Sequence, residues 1–147
     1  MKIKLDSGAS MPVRAHLSDA GYDIFAKEDF VVPKTTYDYA EGVHIGCAVH
    51  DTGVHMAIPK GHVGFIKSKS GLNVNKGIIA EGAIDSGYNT GSVVVKLYNL
   101  GEHNHFFRKG DKITQIVILP IHTPPLELVD ELDDTERGDN GFGSSGV

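Results

Sequence analysis

The sequence predicts an all-β domain, a sandwich or a barrel. Three observations predict it. Helical periodicity is nearly absent along the 147 residues. Short segments of Val, Ile, Tyr and Phe recur at regular spacing. Clusters of Gly, Asp, Asn and Pro punctuate them.

In chain order, the expected strands are residues 3–5, 30–32, 42–44, 54–58, 62–68, 92–99, 105–108 and 113–121. Cys47 is expected in an apolar strand of its own. Pro59, Lys60 and Gly61 read as a turn, as do Lys109, Gly110 and Asp111, and residues 85–91. Residues 72–76 are the one place for a short helical turn. Residues 113–119 are apolar on both faces for most of their length, so that strand should be covered on both sides, by the core or by another subunit. Gln115 is its polar exception, either a core amide satisfied by backbone or a donor presented at the strand's start. There is no internal repeat. From about residue 130 the composition shifts to Asp, Glu, Gly and Ser, giving a domain over residues 1–130 and a tail over 131–147.

The bulk numbers exclude several classes. The chain is 40% hydrophobic, enough for a core, and carries a net charge of −5 with its Lys and Arg scattered. A nonspecific nucleic-acid binder would carry a basic face, so no nucleic-acid partner is expected. An anionic partner should be small and held locally. The longest apolar run, residues 116–119, stops at Pro120, far short of a membrane span. The first residues lack the apolar stretch of a secretory signal. The single Cys47 has no internal disulfide partner and no charged neighbour to activate it, so a cytoplasmic location is expected. The eight His follow no metal-ligand spacing and read as surface or turn residues.

The last eleven residues carry four glycines, two serines, Arg137 and Phe142. They offer too little apolar surface to hold themselves in place. They could still hold a ligand: Arg137 as a fork for phosphate, Ser144 and Ser145 with the backbone N–H groups around an anion, Phe142 stacked on a base. A flap over a nucleotide polyphosphate and a frayed terminus are both compatible with that composition. Gly141, Gly143 and Gly146 match G-x-G-x-x-G, but the sequence runs on for only one residue and supplies no helix, which excludes a dinucleotide fingerprint.

Four further segments share this polar, glycine-rich character. Residues 20–24 set Asp23 among apolar neighbours. Lys69, Ser70 and Gly71 give a cation, a hydroxyl and a pliant backbone. Residues 82–88 look like a hairpin carrying Asp85 and Tyr88. Residues 110–115 lead from Gly110 to Gln115. Each alone is an ordinary loop or turn. Together and in this order the five segments resemble the trimeric dUTPases, the deoxyuridine triphosphate nucleotidohydrolases. The most specific matches are the glycine- and serine-rich tail from Arg137 and the Gly-Ala-Ile-Asp-x-x-Tyr hairpin at 82–88. The resemblance spans nearly the whole chain.

The resemblance implies a β-clip fold, a distorted jelly-roll-like barrel with a flexible C-terminal tail, and a homotrimer with shared active sites. It implies hydrolysis of dUTP to dUMP and pyrophosphate by water attacking the α-phosphorus, with Mg²⁺ on the triphosphate. Asp85 matches the acid that positions and deprotonates the water. Tyr88 matches the aromatic packed on deoxyribose, which excludes a 2′-hydroxyl. Ala83, Ile84 and the rest of the hairpin backbone match the uracil contacts. Asp23 matches the acid that holds Mg²⁺ through water. Lys69, Ser70, Gly71 and Gln115 match contacts to the phosphate chain, and Arg137, Gly143, Ser144 and Ser145 match those of the tail, with Phe142 over uracil.

The chain departs from the family's commonest pattern in places. Lys69 stands where Arg is usual, keeping the charge without the bidentate fork. Gly87 replaces a frequent acid, and Asn89 and Thr90 lengthen the turn by one residue. Two other readings stand beside this one: a dCTP deaminase-like enzyme, against which the complete tail argues, and a nucleotide-dependent module read by a regulatory protein partner, as some phage members are thought to be.

Overall fold

The computed structural model describes residues 1–87 and 91–133. Among these are β1 (Ile3–Leu5), β2 (Gly21–Phe25), β3 (Phe30–Val32), β4 (Thr36–Asp38), β5 (Gly42–His44), β6 (Gly46–Asp51), β7 (Val54–Met56) and β8 (His62–Lys67). A short helix α1 (Ser70–Lys76) follows, then β9 (Ile78–Asp85), β10 (Val94–Asn99), β11 (His105–Phe107) and β12 (Lys112–Pro120). The all-β expectation holds. One antiparallel sheet of six strands runs β2-β12-β8-β9-β10-β6, and three two-stranded ribbons, β1-β7, β3-β11 and β4-β5, accompany it. The large sheet curls into a half-barrel. Ribbon residues Val54 and Met56 (β7), Val32 (β3) and Phe107 (β11) pack with sheet residues Ile24, Ile66, Ile78, Leu97 and Ile116 in one core. No helix among the described residues is long and apolar enough to cross a membrane.

Every expected strand is present, and several strands lay outside the expectation. β2 has Asp23 at its centre, β4 is exposed along its length, and β9 is interrupted by the small residues Ala80, Gly82 and Ala83. In each the usual alternation is weak, and pairing with neighbours rather than side-chain pattern holds the backbone extended. Cys47 does lie in a strand, β6. The helix starts two residues before the expected turn: Lys69 is its N-cap and Ser70 and Gly71 belong to its first turn. It ends at Gly77, whose φ of 66° is the left-handed conformation that favours glycine and whose N–H donates to Asn73 O.

β12 is covered less evenly than its composition suggests. Ile113, Thr114 and Ile116 are buried, whereas Leu119 is 45% exposed. Two adjacent buried residues, 113 and 114, mark a bulge: the register against β2 jumps between Lys112 and Thr114. Buried polar side chains find partners. Asn99 donates to Val32 O and His103 O at 3.0 and 2.9 Å, tying β10 to β3. His50 departs from the surface expectation: it is buried, accepts a hydrogen bond from Lys27 N–H at 3.0 Å and stacks on Phe30.

Candidate active site

Two groupings of candidate residues lie at the central sheet, the first on its outer face and the second in a parting of its strands. The first is a row across four strands. Directly opposed registers align Asp23 (β2), Gln115 (β12), Lys67 (β8) and Glu81 (β9) on one face. Asp23 is 5% exposed, and its carboxylate is held by two ammonium groups. Lys69 donates to Oδ1, and Lys112 Nζ lies 2.6 Å from Oδ2. Burial pushes the Asp23 carboxyl up, but the bonds from Lys112 and Lys69 outweigh it and hold the group below its ordinary value. Asp23 is therefore ionised at neutral pH, beside two cations, so the cluster carries an excess positive charge.

Gln115 settles between the two roles open to it. Its Nε2 donates to Ser68 O at 3.0 Å, so half of the amide is used by backbone. The other end lies over Gly21, where an added Cβ would come within 2.5 Å of Oε1. Ser70 and Gly71 are exposed at the helix start, next to Lys69. The structure thus brings Asp23, Lys69, Ser70, Gly71 and Gln115 to one end of the sheet.

The second grouping is a cleft of about 300 Å³ lined by Met56, Ala83, Ile84, Asp85 and residues 91–94. Its origin is a parting of strands. β9 pairs with β10 only through Ile78, Ile79 and Ala80, whereas its pairing with β8 continues to Asp85. The start of β10 is drawn away instead. Val93 N–H donates to Val54 O at 2.7 Å, Thr52 N–H donates to Val93 O at 3.1 Å, and Val94 pairs with Asp51 of β6. Among the described residues, the β9 edge from Glu81 to Asp85 has no strand partner on the cleft side. Its free N–H and C=O groups are what a planar base edge needs for recognition. Asp85 stands exposed at the lip. Opposite it, Ser92 donates to Asp51 Oδ1 at 2.5 Å, which fixes the far wall.

Tyr88, Arg137, Phe142, Gly143, Ser144 and Ser145 lie outside the described residues. Lys112, Asp51 and Ser92 were missed by sequence reasoning. Lys112 was within reach, since it sits inside the segment 110–115, but only the bulge turns it to Asp23. Ser92 and the wedge depend on a divergence of strands that no local pattern encodes.

The donor set bears on a metal. Among the described residues no group of three or more His, Cys, Asp or Glu could cage an ion. Asp23 alone, with phosphates and water completing the shell, fits the habit of Mg²⁺ rather than of a protein-caged metal.

Comparison with known proteins gives the family. A family model described as dUTPase matches residues 7–146. The deoxyuridine 5'-triphosphate nucleotidohydrolase of Paramecium bursaria Chlorella virus 1 is 39% identical over 145 residues, covering 98% of this chain and 95% of that protein. The Mus musculus protein of the same name is 37% identical over 145 residues, covering 98% and 83%. Among solved structures, the Staphylococcus bacteriophage 80alpha dUTPase with dUPNHPP superposes with a TM-score of 0.81 at 34% identity, over 99% of this chain and 98% of that one. It is described as controlling transfer of virulence genes by a proto-oncogenic G protein-like mechanism. A mutant dUTPase of phage phi11 of S. aureus, described with a structural Mg(II) ion, gives 0.76 at 29% identity over 90% and 98%. With a family match over nearly the whole length and relatives of this identity end to end, the chain belongs to the dUTPase family.

Proposed function

We propose that this chain hydrolyses dUTP to dUMP and pyrophosphate, limiting uracil incorporation into DNA and supplying dUMP for dTMP synthesis. The observation that carries the reading is the wedge between β9 and β10, with an unpaired backbone edge inside and Asp85 at its lip. A fixed edge of donors and acceptors that a bound base would cover rejects a mismatched base strongly, because the mismatch leaves polar groups unpaired. Uracil would pair with the backbone around Ala83 and Ile84, and Tyr88 would crowd the sugar.

Asp85 accepts a proton from water as its oxygen bonds to the α-phosphorus. The bond from that phosphorus to the bridging oxygen breaks, and pyrophosphate leaves. An ordinary carboxylate is a weak base, so positioning and electrostatics supply much of the rate. Ser70, Gly71, Gln115 and Lys69 hold the phosphate chain. Asp23 would hold Mg²⁺ through water, and the ion supplies charge neutralisation on the triphosphate. Arg137, Gly143, Ser144 and Ser145 reach the phosphates and Phe142 covers the base, so residues 131–147 act as a closing tail that excludes water.

The protein works as a homotrimer with shared active sites. Supporting this, Asp85 and the phosphate-binding set are separated within one chain by the apolar outer residues Phe65, Val117 and Ala83. That strip offers phosphate nothing but suits a neighbouring subunit. The cytoplasm is the expected compartment. A regulatory protein partner is an extension suggested by the 80alpha dUTPase, and nucleotide-dependent co-purification would reveal it.

The test is pyrophosphate release from dUTP with Mg²⁺, beside dCTP, dTTP and UTP. Release from dUTP alone, abolished by EDTA, is expected. No release from a folded protein would overturn the reading, and ammonia from dCTP would replace it with a deaminase.

A further inference from the structure

We propose that Lys112 is a positioning residue for triphosphate binding, holding the Asp23 carboxylate in its aim while Lys69 turns to the phosphates. The inference rests on the reading of this site as a dUTP hydrolase. It begins from an imbalance: one carboxylate meets two ammonium groups. An arriving polyphosphate competes for one of them, and the two lysines are not mounted alike.

Lys69 caps a seven-residue helix with no buried residue. Lys112 starts β12, which is hydrogen-bonded to β2 on one side and to β8 on the other. Although the Lys69 side chain is 27% exposed and that of Lys112 41%, their backbones are anchored differently: the cation on the helix cap can leave, and the one paired with Phe25 of β2 stays. If neither stayed, the side chain of Asp23, 7% exposed, would keep no directly bonded counterion, only an ion held through water, which is unfavourable for a buried carboxylate.

The bulge is what gives Lys112 this place. Gln115 pairs with Asp23, Thr114 with Ile24, and Lys112 with Phe25, leaving Ile113 as the extra residue. In an unbroken register Ile113 would oppose Phe25, and Lys112 would project from the other face of the sheet. The inserted residue returns Lys112 to the face that carries Asp23 and Gln115. Ile113 itself is 1% exposed, so the core fixes the bulge.

The experiment compares wild type, Lys112→Met and Lys112→Arg in the full chain. Calorimetry would measure binding of α,β-imido-dUTP with Mg²⁺ and, separately, of dUMP. Lys112→Met should weaken the triphosphate analogue by about tenfold or more, about 1.4 kcal/mol, since a charge-assisted bond is lost. Its dUMP affinity should stay within about twofold, because dUMP lacks the phosphates this cluster serves. Lys112→Arg should recover most of the loss. Unchanged analogue binding in Lys112→Met, or an equal loss for both ligands, would overturn the proposal. If Lys112→Met fails to fold, Lys112→Gln carries the same comparison. Wild type that binds and hydrolyses no dUTP would instead sink the functional reading, so the two failures are distinct.

Discussion

Asp85 and Gln115 share one face of the central sheet but stand at opposite ends of β8, Asp85 beside Val63 and Gln115 beside Lys67. Four residue steps of strand separate those positions, about 13 Å along the sheet. On the proposed reading, a water positioned by Asp85 and a phosphate held at Gln115 would therefore come together across a subunit boundary. Asp85→Asn should bind dUTP and lose turnover by roughly two to four orders of magnitude, the range for a lost general base. Gln115→Ala should be impaired for a different reason. Co-assembling the two variants should restore activity at roughly a quarter of the sites by random assortment. Mixed trimers no more active than the parents would show that one chain supplies both residues.

Gly21 offers a test of the phosphate end alone. A Cβ there would lie 2.5 Å from Gln115 Oε1 and 3.1 Å from Cδ. Those two atoms belong to the far end of a pliable side chain that can swing aside, while Gln115 Cβ at 3.2 Å needs only a small shift of the strands. Gly21→Ala should keep its melting temperature within a few degrees yet lose roughly tenfold to a hundredfold in kcat/KM, the scale of an ångström-sized misplacement. Circular dichroism and steady-state kinetics on dUTP would separate the two effects. A destabilised protein with unchanged kinetics would mean that Gln115 yields without leaving its task.

These geometries also show what the sequence carries and what it hides. The strands at residues 54–56, 62–67 and 94–99 announce themselves through β-branched and aromatic residues, and the residue types at Asp23, Ser70, Asp85 and Gln115 announce chemistry through their order. The strand β9 does not, because Ala80, Gly82 and Ala83 carry little pattern and are held extended by β8. Nor does the cleft, which exists because Val93 bonds to Val54 rather than across to β9. The pairing of Lys112 with Asp23 rests on a one-residue register jump. Each of these is a relation between distant segments, and local propensity is silent about such relations.

The histidines give a pH dependence of stability. Burial lowers the His50 pKa, and the charges of Glu28 and Asp51 only partly oppose it. His105 is lowered by burial and by Lys76. A histidine lowered on folding binds its proton more tightly when unfolded, so its stabilising contribution is present above the ordinary value near 6.5 and is lost as pH falls below it. The melting temperature should thus fall on acidification below about pH 6.5, before the carboxylates titrate. His50→Gln keeps an acceptor for Lys27 N–H but cannot titrate, so its profile should be flatter in that window. A profile as steep as that of wild type would assign the acid sensitivity elsewhere.

The closing role of the tail is open to the simplest test, deletion of residues 137–147. The core among the described residues draws on nothing beyond Ile118, so the truncated chain should fold with an unchanged melting temperature. The cleft at β9 is likewise built from residues 56–94, so dUMP should still bind. The deletion removes Arg137, Ser144 and Ser145, proposed to reach the phosphates, and Phe142, proposed to cover the base, and with them the proposed exclusion of water from the reacting centre. Turnover of dUTP should drop by two orders of magnitude or more, roughly the cost of losing a preorganised set of charged donors. A truncated enzyme as fast as the full chain would leave the open cluster of Lys69, Lys112, Ser70 and Gln115 as a sufficient phosphate site, and would reduce the glycine-rich terminus to the frayed end that its composition also allows.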